Sequence, residues 1–182
     1  AVNQQGIHHI DILNYINGPI IEVSAYGTNR MNKLEAEDTM VANIKFKNHS
    51  LGTLEITTAA RPQDHEASID IVSEKAYIQI GGIALNEIIK FQLFENKNYN
   101  EKNIKRKYSE KVSSGYGISH YRYFNKVYDI ILKKTNIPPI KLEENLYTTK
   151  IIHSLYKSWE SNKPIELRSN ALSKKLGIKK RS

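Results

Sequence analysis

The apolar residues of this chain change their spacing twice, and nothing else in the sequence restricts the fold as much. Between Ile21 and Phe94 they alternate with polar residues. Ile21, Val23 and Ala25 alternate with Glu22, Ser24 and Tyr26. Met40, Ala42, Ile44 and Phe46 alternate with Val41, Asn43, Lys45 and Lys47, and Leu54, Ile56 and Thr58 with Thr53, Glu55 and Thr57. ASIDIV, AYIQI and EIIKFQLF continue the habit. A period of two turns one face of an extended chain to a core and the other to solvent, so these runs read as about six strands. Short turns between successive strands imply a largely antiparallel sheet covered on one face. NHSLG, residues 48–52, reads as a hairpin loop in which Gly52 is free to take an unusual backbone angle.

On either side the period is about 3.6. The first residues lead into one helix. Phe124, Val127, Tyr128 and Ile131 form a second stripe, and Leu142, Leu146, Ile152, Leu155 and Trp159 a third, with IPP (residues 137–139) between them. Both later stripes are expected in the core. PIEL adds a last short strand before a basic tail at residues 170–182. Helix, strands, then helices predicts an α+β fold, with helices on one face of an open, largely antiparallel or mixed sheet. Residues 1–182 are expected to form a single domain, a length that can bury a real core. The outer sheet face, with Val41, Asn43, Thr53, Glu55, Thr57, Ser68, Asp70 and Tyr77, is either solvated or paired with a second subunit.

A net charge of +8 raises the question of nucleic acid. Lys97 to Lys111 carries a net +4, and Lys174 to Arg181 adds five positive residues without an acid. The remainder is close to neutral. Both segments read as loop and tail, and no aromatic interleaving accompanies them, so a solvated basic surface is the expectation and a nucleic-acid partner the least supported one. No apolar run reaches the roughly 18 residues of a membrane span, and no secretory leader is visible. The absence of cysteine removes disulfides and thiol chemistry and favours a reducing, cytoplasmic setting.

The chemistry concentrates in NQQGIHHIDILNYING, residues 3–18. Asn3, Gln4 and Gln5 precede His8, and Asp11 follows it. His8 and Asp11 are three apart and share a helix face; Gln4 joins them if the helical turn starts early, whereas His9 points about 100° away. Amides bind hydroxyls and an imidazole takes a proton near neutral pH, so the cluster suits a polyol. Helix-start histidines that merely satisfy a neighbour are the plain alternative.

QQGIHHIDILNYING, EVSAYGTNR, EAEDTMVANIKFKNHSLGTLEITTAARPQDHEASIDIVSEKAYIQIGG, YGISHYRYF and SLYKSWESNKPIEL resemble, in order, the C-terminal domain of the Gfo/Idh/MocA oxidoreductases, over residues 3 to about 167. The wording is closest to the branch typified by UDP-N-acetylglucosaminuronate 3-dehydrogenases. The resemblance implies a substrate-binding and assembly domain of an NAD(P)-dependent dehydrogenase acting on a hydroxyl of a sugar or UDP-sugar. NAD or NADP would be bound mainly by an N-terminal Rossmann domain, which with its Glu-Lys-Pro lysine is not in these residues, so the chain is expected to be the C-terminal part of a longer protein. His8 takes the place of the catalytic histidine, accepting the hydroxyl proton or positioning that hydroxyl beside the lysine. Gln4 stands where many members carry aspartate; it can orient a hydroxyl but holds no charge. Asn3, Gln4 and Gln5 become sugar or cofactor-amide contacts, and Asp11 a substrate contact or a helix-face partner.

Arg61 could pair with a carboxylate or phosphate, or be an ordinary surface arginine. Tyr116 and His120 fall where the family lines its pocket; His120 could instead cap the helix. His49, His65 and His153 show no metal-ligand spacing, and no metal is expected. The family builds oligomers on its open sheet face, which makes an interaction module without catalysis of its own the second reading.

Overall fold

The structure, a computed structural model, describes residues 1–63, 67–95, 98–174 and 176. The chain divides into two compact units, Ala1–Asp64 with Ile140–Ser182, and His65–Pro139.

In the first unit a helical turn, Val2–Gly6, runs into α1, Ile7–Asn17. Strands β1 (Ile20–Thr28), β2 (Thr39–Phe46) and β3 (Leu51–Thr57) follow. The second unit then supplies β4 (Ile69–Val72), β5 (Ala76–Gly81), β6 (Glu87–Leu93), α2 (Glu101–Tyr108) and α3 (Ser119–Ile131). The chain returns to the first unit for α4 (Leu142–Ser161), the short β7 (Ile165–Glu166) and a 3-10 turn, Leu167–Ser169. This is the α+β class the periodicity predicts, with every anticipated strand present and antiparallel. The strands form two ladders where the sequence suggested one sheet: β3-β2-β1-β7 and β4-β5-β6.

In the first ladder Val23 lies opposite Ile44 and Ala25 opposite Ala42, so both strands turn the same set inward. Ile20, Val23, Ala25, Met40, Ile44, Phe46, Leu54 and Ile56 pack with Val2, Ile10, Ile151, Leu155 and Tyr156 in one core. Tyr156, Ile10 and Leu155 are among the residues almost wholly withdrawn from water, the burial that drives this packing. Ile21, predicted inward, is exposed, because the register shifts between Ile20 and Glu22 and this irregularity puts Ile20 in the core instead. Gly52 has no unusual backbone angle. His49 takes the left-handed conformation of that hairpin (φ 69), and Gly52 instead makes room for the Phe46 ring, 3.2 Å from where a Cβ would stand. β7 pairs only with Glu22 and Val23. Beyond it, the Ala25 N–H donates to Ser158 Oγ of α4 at 3.0 Å, so helix side chain and strand together serve the outer edge of β1.

The stripe expected on α4 is buried only in part. Ile152 and Leu155 are core, but Leu142 and Leu146 are exposed. The ties of α4 to its neighbours begin one turn later, where Tyr147 donates to Ile20 O at 2.6 Å and Thr148 to Asp11 at 2.6 Å.

The second unit holds two departures. The basic stretch read as a loop contains α2, while Lys97 lies outside the described residues. Asn100 caps it by accepting from the Asn103 N–H at 3.1 Å, Glu101 sits in its first turn, and Lys105, Arg106 and Lys107 occupy its last, where helix polarity favours cations. The segment also closes the free edge of β6. Glu101 accepts from Phe91 N at 3.3 Å, Ser109 Oγ from Ile88 N at 2.9 Å, and Tyr99 OH from Leu93 N at 3.1 Å. α3 is helical as expected, but Phe124, Tyr128 and Ile131 are exposed rather than core, and the helix buries no residue. Of the tail at 170–182, Lys175 and residues 177–182 lie outside the described residues. No described helix is long and apolar enough to cross a membrane.

Candidate functional site

The opening polar residues ride on a wide, π-type turn. The N–H groups of Gln5 and Gly6 both donate to Ala1 O, at 2.8 and 3.3 Å, and the α-helix takes over from Ile7. Wide turns of this kind recur at functional sites. The early helical start places Gln4 one turn ahead of His8.

A buried acid holds the turn down. Glu37 is fully buried in the segment before β2. Its Oε1 accepts from Val2 N at 2.7 Å and from the Tyr156 hydroxyl at 3.0 Å, and the Ala1 nitrogen donates to Glu37 O at 3.0 Å. Away from water such bonds gain strength. Burial, then the neighbouring Glu37 charge and hydrogen bond, push the Tyr156 phenol well above its usual range, so it remains a donor. Gly6 fits because it has no side chain: a Cβ there would lie 2.1 Å from Ile56 Cδ1. The turn thus lies against β3.

On this footing Asn3, Gln4, Gln5 and His8 are all exposed. His9 is not equivalent to His8. It is half-buried, with Nδ1 3.4 Å from Gln5 O. Burial lowers its pKa, the Gln5 carbonyl opposes that, and His8 adds to it. His9 therefore braces the turn in neutral form, and His8 is the imidazole open to a ligand. Asp11 accepts the Thr148 hydroxyl at 2.6 Å, which ties α1 to α4.

Arg61 follows β3. Its guanidinium donates to Ala60 O at 2.7 Å and to Asn32 Oδ1 at 3.1 Å. Asn32 belongs to the loop between β1 and β2, and that loop is gathered on Asp38, whose Oδ2 accepts from the N–H groups of Arg30, Met31 and Asn32 at 3.0, 2.7 and 3.0 Å. Burial works against ionisation of Asp38, but these bonds and the Thr39 hydroxyl outweigh it and hold the carboxyl below its ordinary 3.8.

Tyr116 and His120 lie in the second unit. His120 Nδ1 is 3.3 Å from Tyr116 O, and the two rings meet edge-on with centroids 5.6 Å apart. Ile118 occupies the N-cap of α3 without a side-chain cap bond. The structure thus gathers Asn3, Gln4, Gln5, His8 and Asp11 on one helical segment, puts Tyr116 in the turn before α3 and His120 in its first turn, and sets Arg61 on the strand exit. The sequence did not single out Glu37, Asp38, Asn32, Tyr156 or Thr148. Nothing local marks the acidic pair in EAEDTM as buried, and only the resemblance drew attention to that stretch.

Every strand pair among the described residues is antiparallel, and no strand leads through a glycine-rich turn into a helix. These residues do not fit a dinucleotide phosphate site. No group of three potential metal ligands occurs among the described residues.

A family model described as the oxidoreductase family, C-terminal alpha/beta domain, matches residues 1–167. The WlbA dehydrogenase of Bordetella pertussis, solved with NADH and UDP-GlcNAcA, is 28% identical with a TM-score of 0.80, over 91% of this chain and 47% of that one. The corresponding dehydrogenase of Chromobacterium violaceum, with the same ligands, is 26% identical with a TM-score of 0.75, over 90% and 44%. A levoglucosan dehydrogenase with NADH and levoglucosan shares the fold at 14% identity and a TM-score of 0.69, over 90% and 49%. No curated protein matches the chain in sequence. The chain spans about half the length of these solved relatives.

Proposed function

The chain belongs to the Gfo/Idh/MocA oxidoreductase family as a C-terminal α/β domain, and from that premise we propose that it is the substrate-binding half of an NAD(P)-dependent dehydrogenase acting on a hydroxyl of a nucleotide-linked sugar, in the cytoplasm. The observation that carries the reading is the exposed imidazole of His8 beside Asn3, Gln4 and Gln5, on a turn fixed from below by Glu37 and Tyr156. Sugar hydroxyls require amide donors and acceptors, and oxidation requires a group that takes the hydroxyl proton. The nicotinamide, held by a Rossmann half of the longer protein, would supply the hydride acceptor. His8 takes the proton, Gln4 orients the hydroxyl or the ring, Asn3 and Gln5 hold the sugar, and Arg61 is a further substrate contact. Asp11 acts at one remove by joining α1 to α4. The UDP-GlcNAcA carried by the two WlbA structures favours a UDP-sugar as the substrate.

The test is NAD(P)H formation by the longer protein with UDP-GlcNAcA. His8→Ala should lower kcat by roughly 10²–10⁴-fold, the usual contribution of general acid–base catalysis. Nicotinamide reduction that is independent of any sugar would overturn the reading. Loss of affinity with kcat intact would reduce His8 to a positioning contact.

A second reading concerns the same protein's assembly. The face of β1, β2 and β3 that turns from the core exposes Tyr26, Val41 and Leu51, and we propose that this chain pairs with a second copy through it.

A further inference from the structure

Surface arginines are rotamer-rich, and ordering one has an entropic cost. Arg61 is nonetheless exposed and tethered at two points, by Ala60 O and Asn32 Oδ1. Both acceptors are neutral, and no described carboxylate pairs with its guanidinium. The tether continues inward. Asn32 Nδ2 donates to Thr58 O at 3.1 Å, and its backbone N–H donates to Asp38 Oδ2. Asp38 is 1% exposed, and Thr58 N donates back to Asp38 O at 2.8 Å. A buried carboxylate therefore fixes a loop, the loop fixes an amide, and the amide fixes one corner of a cation whose other N–H groups have no partner among the described residues. A fork held in this way is preorganised for a planar or tetrahedral oxyanion, because the ordering cost is met before the ligand arrives.

We propose that Arg61 is the point at which this domain recognises an acidic group of its substrate, a carboxylate or a phosphate, and that Asn32 is the positioning residue that sets Arg61 for it. The proposal rests on the sugar-nucleotide reading and deepens it: the site would select acidic sugars or sugar nucleotides over neutral sugars.

Binding to the chain of residues 1–182 tests this without cofactor or turnover. The probes are UDP-N-acetylglucosaminuronic acid, UDP-N-acetylglucosamine, glucuronate and neutral N-acetylglucosamine, read by calorimetry and by the Arg61 Nε–H resonance. The acidic probes should move that resonance. Arg61→Ala should weaken them by roughly 10–100-fold, as expected for a charge-assisted hydrogen bond. Arg61→Lys should restore only part of the affinity, since it keeps the charge without the fork. Asn32→Ala should weaken the same probes about 3–10-fold, the scale of one neutral hydrogen bond, and leave N-acetylglucosamine unchanged. Losses for UDP-N-acetylglucosaminuronic acid and glucuronate, with UDP-N-acetylglucosamine spared, identify a carboxylate. Equal losses for the two nucleotides, with glucuronate spared, identify the diphosphate. The proposal fails if no acidic probe binds, if both alanine variants bind all probes as the parent does, or if Asn32→Ala weakens the neutral sugar equally. Arg61-dependent binding combined with absent sugar oxidation in the longer protein would overturn the dehydrogenase reading alone. Sugar oxidation with normal substrate affinity in both alanine variants would overturn this proposal alone.

Discussion

Glu37 and Asp38 are neighbours with separate tasks: one side chain holds the turn before α1 and the other holds the loop before β2. For Asp38 the consequence is measurable. Its folded pKa is lowered, so the folded state releases this proton more readily than the unfolded chain. Its contribution is therefore complete above the unfolded value, about 3.9, and is lost as pH falls through the lower folded value. Asp38→Asn keeps an acceptor oxygen but loses the charge, which should cost about 1–2 kcal/mol at pH 7. Urea unfolding should show that deficit at pH 7 and a progressively smaller one below about pH 4; a deficit constant down to pH 2 would refute the assignment. His8 could be singled out in the sequence because its neighbours are chemically unusual for a helix start. Glu37 and Asp38 could not, because nothing local distinguishes a buried acid from a solvated one; their partners lie at Val2, Arg30 and Tyr156.

Strands β1, β2 and β3 were legible because each has a wet and a dry face, which is a local property. α2 was not, because its reason is an edge: its segment supplies Glu101, Ser109 and Tyr99 to N–H groups of β6 that β5 does not reach, and a run rich in Lys and Asn shows no stripe. The α3 stripe was legible as a helix and misread as core, since periodicity reports an apolar face and not what covers it. The contact of the first turn with β3 gives a test at this scale. Gly6→Ala should overpack Ile56 and destabilise by roughly 1–3 kcal/mol. Ile56→Val removes the Cδ1 atom in conflict and alone should cost about 0.5–1.5 kcal/mol. Chemical denaturation of the double variant should give less than the sum of the two; simple additivity would mean that the two residues do not meet as described.

For the whole chain, the proposed pairing of copies makes a further prediction. Val41 lies opposite Tyr26 on β1 and Glu55 on β3, so Val41→Lys should be harmless in a monomer and costly where that face is desolvated. Sedimentation should find the parent larger than a monomer at high micromolar concentration and the variant shifted towards monomer; a monomeric parent would end the idea. The division of the chain has its own consequence. The second unit is one unbroken stretch, whereas the first is assembled from residues 1–64 and 140–182. A ribosome that has delivered residue 139 has delivered everything the second unit needs, yet β1 still lacks Ser158 and Ile165 at its outer edge, and the core lacks Ile151, Leu155 and Tyr156. At roughly 5–20 residues per second the 26 residues from 140 to Ile165 take about 1–5 s. Until α4 emerges, part of the apolar face of β1 and β2 stays open to water.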